Sequence, residues 1–375
     1  MYVRQTRYLL SFGAAALVLG ATVLIGGATR SHALPPVGTP VTTDKVIQYL
    51  RERFGIPDTV KMTAGPLHSS TFPGFEETTV TTDTGKEQKP QTIYVTKDGR
   101  YLAVGTLAML GPDPKADVVK YVRATFKIPE TTALTAGPLE KSKYLEFHQT
   151  KVATADGKAQ EFFVTRDDKV VVLGEVLPLD VNLRRKALET MDLRNQPSAG
   201  GPASAPVTIV EYADLECPTC ARFNAFLEND LLPHYGNKVR VVFKEFPLPM
   251  HDWSRVAAIA NECAYKMSPS VYFAYRSMIF AHQTAINVAN VRDAMLQYGE
   301  EVGLDRLKLA ACIDSQASLP LVEQGKREGT VIGVNSTPTS FINGRMVVGM
   351  PPPDQYFALV DEALKSQQSA VESRK

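Results

Sequence analysis

A block of sequence occurs twice in the first half of this chain, and that repetition restricts the fold more than any other feature. Asp44-Lys45-Val46-Ile47-Gln48-Tyr49-Leu50 is matched by Ala116-Asp117-Val118-Val119-Lys120-Tyr121-Val122, Ile56-Pro57 by Ile128-Pro129, and Ala64-Gly65-Pro66-Leu67 by Ala136-Gly137-Pro138-Leu139, always 72 residues on. Val95-Thr96-Lys97-Asp98-Gly99 then matches Val164-Thr165-Arg166-Asp167-Asp168 at an offset of 69, so the second copy lacks three residues near 87–90. Two copies are too few for a solenoid. Tandem duplication of one small module is the simpler account, with copies over 40–111 and 112–180.

Each copy reads as a helix followed by strands. Val46, Ile47, Leu50 and Phe54 recur at helical spacing and Pro57 stops the helix. Strand-like runs follow at 77–82, 91–96 and 101–105, with Asp98-Gly99 as a hairpin turn. The module is therefore a small α+β unit, one helix on an antiparallel sheet. One helix leaves part of such a sheet uncovered, and pairing of the two copies would bury the remainder.

The first 33 residues read as a targeting segment. Arg4 and Arg7 precede an uncharged, largely apolar stretch from Tyr8 to Thr29, and Ser31-His32-Ala33 offers small residues for a signal peptidase. Cleavage would release a soluble protein; retention would leave 8–29 as a single membrane anchor. Either outcome places the rest outside the cytoplasm, in the periplasm or cell envelope. The net charge of +1 gives no basic excess for nucleic acid. Four cysteines, Cys217, Cys220, Cys263 and Cys312, in an exported chain favour disulfides over metal.

Beyond 180 the pattern changes. Residues 181–193 form a short amphipathic helix, and 195–206, rich in Pro, Gly, Ser and Ala, reads as a linker, so that 181–205 separates the modules from a last domain at 206–369. There the order is a buried strand at 207–212, a helix opened by Cys217, a strand at 238–246, helices from Trp253 to about Lys326, a hairpin turning at Asn343-Gly344, and a closing helix at 356–365. That order matches an α/β thioredoxin-like fold with a helical insertion, preceded by the two α+β modules.

Cys217-Pro218-Thr219-Cys220 stands at a strand-to-helix junction. Two intervening residues bring the sulfurs within disulfide range, and the helix N-terminus favours a thiolate on the first. Cys217 is then the attacking thiol and Cys220 the resolving one, with Pro218 and Thr219 as the redox dipeptide. Asp214 and Glu216 would oppose the thiolate if they point inward. An inert disulfide and half of a zinc site are the competing readings; the latter lacks two further ligands.

The segment Val207-Thr208-Ile209-Val210-Glu211-Tyr212-Ala213-Asp214-Leu215-Glu216-Cys217-Pro218-Thr219-Cys220 resembles the active-site segment of the DsbA-like thioredoxin family, and Gly333-Val334-Asn335-Ser336-Thr337-Pro338-Thr339-Ser340-Phe341-Ile342-Asn343-Gly344 resembles its cis-proline segment. The resemblance implies a thiol–disulfide oxidoreductase without cofactor or metal, acting on cysteine-containing exported proteins and recycled by a membrane redox partner. It also implies a cis peptide between Thr337 and Pro338 beside the cysteines, with the Thr337 backbone free to pair with an extended client strand. Oxidase and isomerase or reductase activities both remain open, and so does a non-catalytic envelope assembly role with a structural disulfide.

Glu211 occupies the place where the resembled proteins carry a buried acid. Either it relays a proton to or from Cys220, or it is a structural carboxylate paired with Lys244 on the neighbouring strand. Cys263 and Cys312 fall on apolar helix faces, as a stapling disulfide or as two buried thiols; some members of the resembled family carry such a second pair. His251 either borders the active-site groove or ends a turn. Tyr272, Phe273, Tyr275 and Phe280 read as core. The N-terminal modules, through Pro73-Gly74-Phe75 and residues 93–102, resemble the dimerisation domain of bacterial disulfide isomerases, a family that uses one module per chain and pairs two chains; the second copy lacks the Pro-Gly-Phe, and because this chain carries two modules, the expectation here is that the tandem copies pair within one chain and mimic that dimer.

Overall fold

The computed structural model describes residues 41–372 apart from 86, 156 and 158. The proposed targeting segment at 1–33, with its candidate anchor at 8–29, lies outside the described residues. Among the described residues no helix is long and apolar enough to cross a membrane. The chain divides into two compact units, one of residues up to 49 with 59–181, the other of 50–58 with 182 onward.

The first unit is built from α1 (Thr43–Phe54, counted with the second unit from Leu50), β1 (Lys61–Ala64), β2 (His68–Ser69), β3 (Phe75–Asp83), β4 (Gln88–Thr96), β5 (Tyr101–Met109), α2 (Pro114–Phe126), β6 (Leu134–Ala136), β7 (Glu140–Lys141), β8 (Phe147–Thr154), β9 (Ala159–Thr165) and β10 (Val170–Pro178). The strands make one ten-stranded sheet in the order β1-β3-β4-β5-β10-β9-β8-β6, with β2 on β3 and β7 on β8. Matching positions of the two copies make matching bonds. Thr78 Oγ1 donates to the Gly65 carbonyl at 2.7 Å, and Thr150 Oγ1 to that of Gly137 at 3.0 Å. Thr96 Oγ1 and Thr165 Oγ1 likewise donate to Asp98 and Asp167 in the hairpin turns.

Alternation along β10 explains its unbroken apolar run. Val171 and Leu173 pack with Val118 and Val122 of α2, while Val170 and Val172 join a cluster on the other face with Phe75, Tyr101, Phe147 and Phe163. That second cluster draws on both copies, and the equivalent residues Phe75 and Phe147 lie with ring centroids 6.4 Å apart. The sheet face without a helix is thus closed by aromatic side chains from the two halves.

The second unit contains α3 (Leu183–Thr190), β11 (Ser198–Gly200), β12 (Val207–Ala213), α4 (Pro218–Phe226), α5 (Leu232–Tyr235), β13 (Val239–Glu245), α6 (Ser254–Met267), α7 (Tyr272–Ala281), α8 (Val291–Glu301), α9 (Arg306–Asp314), α10 (Leu319–Ile332), β14 (Thr339–Ile342), β15 (Arg345–Val348) and α11 (Pro353–Glu372). Its sheet runs β11-β13-β12-β14-β15, with β12 parallel to β13 and the other neighbours antiparallel. This is the thioredoxin-like order, with α6 to α10 inserted between β13 and β14. The Cys263–Cys312 disulfide joins α6 to α9 across 49 residues of sequence.

The reading of 195–206 as a free linker is corrected. Ser198, Ala199 and Gly200 pair with Val242, Val241 and Arg240, so this stretch supplies the edge strand of the second sheet. Its Pro and Gly mark the turns on either side of β11 rather than a mobile tether. Gly201 needs to be glycine for the same reason, because a Cβ there would meet the Asn237 carbonyl oxygen at 2.5 Å.

Candidate active site

The site lies where β12 ends and α4 begins. Cys217 is the N-cap of α4, with extended backbone, and Pro218 follows in the first turn, where no N–H is needed. Cys217 is 8% exposed and Cys220 wholly buried, and neither is in a disulfide. One thiol is thus accessible and the other enclosed, the asymmetry that attack and resolution require. The Thr337–Pro338 peptide is cis, and the Thr337 carbonyl oxygen lies 3.4 Å from Cys217 Sγ.

The two sulfurs are driven apart in acidity. A hydrogen bond from the Cys220 thiol, backbone N–H groups of Cys220 and Thr219, and a contact with Thr337 lower the Cys217 thiol from 9.0 to about 6, against the opposing effect of burial. Burial pushes the Cys220 thiol well above 9.0, reinforced by its bond to Cys217 and by the charges of Cys217 and Glu211. Asp214 and Glu216, whose charge threatened the thiolate, are engaged elsewhere. Asp214 accepts from Glu216 N–H, Leu248 N–H, Ser254 Oγ and His251 Nδ1. Glu216 Oε2 accepts from the N–H groups of Trp253 and Ser254, at the start of α6. His251 therefore ends its turn on Asp214.

Glu211 on β12 is fully buried, and burial raises its carboxyl although the Arg276 guanidinium pulls the other way. Its partner is not Lys244. Arg276 Nη2 donates to Glu211 Oε2 at 2.9 Å, while Lys244 Nζ bonds Glu328 at 2.6 Å. Alternation is the reason: Glu211 is in register with Phe243, so the next residue, Lys244, points to the opposite face of the sheet. Tyr272, Tyr275 and Phe280 are buried in the core.

Two residues of the insert escaped the sequence reading. Arg276 sits inside an otherwise apolar α7, a cation that such a helix cannot bury without a counter-charge; that was its available signal. Gln283 Nε2 donates to the Leu215 carbonyl at 2.7 Å and the Cys217 carbonyl at 3.2 Å, holding the active-site loop. Nothing local to Gln283 signals that role. Among the described residues no cluster of His, Cys, Asp and Glu could hold a metal ion.

A family model described as thioredoxin matches residues 194–372. Among curated proteins, a Na(+)/H(+) antiporter NhaA of Herminiimonas arsenicoxydans is 33% identical over 40% of this chain and 22% of its own length. This chain therefore spans only about a fifth of that relative. The disulfide bond formation protein D of Bacillus subtilis is 24% identical over 47% of this chain and 80% of its own length. Among solved structures, oxidised BdbD from Bacillus subtilis aligns with a TM-score of 0.43 at 22% identity, covering 46% of this chain and 95% of that one. A thioredoxin-like oxidoreductase from Silicibacter pomeroyi aligns at 0.41 with 28% identity, covering 48% and 98%. With the Cys-Pro-Thr-Cys pair at the head of α4 and the cis-proline beside it, residues 194–372 match the thioredoxin family model and fold as a thioredoxin-like domain.

Proposed function

We propose that this chain is an exported thiol–disulfide oxidoreductase that exchanges disulfides with cysteine-containing envelope proteins through Cys217 and Cys220. The observation that carries the reading is the asymmetry of two thiols three residues apart in one helical turn: Cys217 at the N-cap of α4, 8% exposed and lowered to about 6, and Cys220, wholly buried and raised above its ordinary value. In the reducing direction the Cys217 thiolate attacks a client cystine, forming a mixed disulfide and releasing one client thiolate. Cys220 then attacks Cys217 Sγ, closing the Cys217–Cys220 disulfide and releasing the second. The oxidising direction is the same sequence reversed. A membrane redox protein resets the pair, and the Arg4/Arg7 and 8–29 pattern supports an envelope location.

Trapping tests the reading. Cys220→Ala should accumulate mixed disulfides through Cys217 on non-reducing gels, and Cys217→Ala should not. Absence of adducts, with wild-type rates no better than a free dithiol, would leave the non-catalytic assembly role. Direction is decided by the reduction potential of the pair against glutathione: near about −120 mV it is an oxidase, and near about −200 mV or below an isomerase or reductase.

A further inference from the structure

Asp214 is the residue through which the segment between β13 and α6 reaches both cysteines. It stands one place beyond β12, where Phe246 N–H donates to the Ala213 carbonyl at 2.7 Å and the strand ends. The Asp214 N–H is directed instead at Cys220 Sγ, 3.5 Å away, and the Asp214 carbonyl accepts the Cys217 N–H at 3.0 Å. The backbone of one residue thus touches the buried sulfur and holds the residue that caps α4.

The side chain of Asp214 is fully buried, and each of its oxygens takes two donors. Oδ1 accepts from Glu216 N–H at 2.8 Å and from Ser254 Oγ, and Oδ2 from Leu248 N–H and His251 Nδ1, both at 2.7 Å. A carboxylate oxygen only accepts, so the hydrogen of the last bond belongs to His251 Nδ1. The imidazole is partly exposed, with 20% of its side-chain surface accessible. Beyond the end of a strand the sheet no longer sets the orientation of the peptide; the bonds of the side chain do. Cys220 is wholly buried, and burial opposes a thiolate there, while the Asp214 N–H favours one. Cys217 is held differently. Its donors are the Cys220 thiol and the N–H groups of Thr219 and Cys220, and its carbonyl accepts from Gln283 Nε2 at 3.2 Å.

We propose that His251 is a positioning residue for the resolving step: by donating Nδ1–H to Asp214 it keeps the Asp214 backbone N–H aimed at Cys220 Sγ, where that dipole stabilises the charge the sulfur carries as it attacks. The proposal rests on the exchange reading above. Cys220 Sγ attacks Cys217 Sγ and the Cys217–Cys220 bond forms. The mixed disulfide breaks with its electron pair leaving on the client sulfur, and the proton of Cys220 ends on that sulfur. Without the imidazole donor, Asp214 Oδ2 is left a partner short inside the protein. The carboxylate then turns toward its remaining donors, and the N–H swings off the sulfur, where a bent hydrogen bond is weak. Attack by Cys217 is spared, because its own donors lie on α4.

The experiment uses the reduced full chain and oxidised glutathione at pH 7, with rapid acid quenching and intact-mass measurement. The glutathione adduct of Cys217 rises with attack and decays with resolution, so the two steps are read separately. His251→Leu should slow the decay about fivefold, the worth of one hydrogen bond, and leave the rise within about twofold. His251→Asn, whose amide nitrogen donates in place of Nδ1, should return the decay to within about twofold of wild type. Wild-type decay in folded His251→Leu overturns the proposal. So does equal slowing in His251→Leu and His251→Asn, which would assign the effect to packing of the ring. If His251→Leu does not fold, Ser254→Ala removes another side-chain donor to Asp214, and wild-type decay there overturns the proposal. Wild-type protein that reacts with oxidised glutathione no faster than dithiothreitol sinks the exchange reading itself, whereas fast wild type with unaltered variants sinks only the role of His251.

Discussion

Cys217 is governed by a contest between burial, which disfavours the thiolate, and a set of donors at the head of α4, which favour it. The donors win, leaving the thiol at about 6. The sign of the pH effect follows. An unfolded thiol keeps its ordinary 9.0, so the reduced native protein gains stability as pH rises from about 6 towards 9 and loses it as pH falls through 6. Chemical denaturation of the reduced protein at pH 5 and pH 8 should show a higher midpoint at pH 8 that Cys217→Ser reduces; equal differences in both proteins would refute the thiolate. Alkylation of Cys217 should be half-maximal near pH 6. This residue was legible in the sequence because its activation is local, two residues of spacing and one helix terminus. Arg276 was not, since its meaning depends on Glu211, brought to it by tertiary packing. The Lys244 pairing failed for the complementary reason: adjacency of strands is readable, but register decides which face a side chain takes.

Among the elements, β5 and β10 carry the tightest constraint. Nine residue pairs run from Val170 opposite Met109 to Pro178 opposite Tyr101, with Gly174 opposite Gly105 at the centre. A Cβ on Gly174 would meet the Val104 carbonyl oxygen at 2.0 Å, and one on Gly105 would meet that of Leu173 at 2.6 Å. Backbone atoms cannot yield as a side-chain tip can, so Gly174→Val should destabilise the first unit by about 3 kcal/mol or more. Thermal unfolding followed at the tyrosines of that unit should report the loss, and an unchanged transition would mean the sheet opens at little cost. Periodicity and turn residues placed the strands of the first copy but made them too short, as with the run at 101–105 that continues to Met109. The extension is stabilised by β10, a partner 60-odd residues away, which local pattern does not reveal. β11 was missed similarly, its three residues being strand only because β13 lies beside them.

At the scale of the molecule, the β5–β10 register has a symmetry that bears on assembly. Gly105 and Gly174 are the same position in the two copies, given the offset of 69, and they face each other at the middle of the ladder. The two halves of the first unit are therefore related by a local two-fold relation, as two chains would be in a symmetric dimer. A single copy would present a nine-residue apolar strand edge, a template for pairing with another chain. Here each copy closes the other's edge, and the sheet terminates in β1 and β6, of four and three residues, which offer little to a further strand. The aromatic cluster of Phe75, Tyr101, Phe147 and Phe163 is completed within the chain as well. The protein should accordingly run as a monomer in light scattering, with the mass of one chain, up to 41.1 kDa if nothing is removed. An obligate homodimer whose interface maps to residues 41–180 would show instead that a strand edge or the aromatic face still requires a second chain.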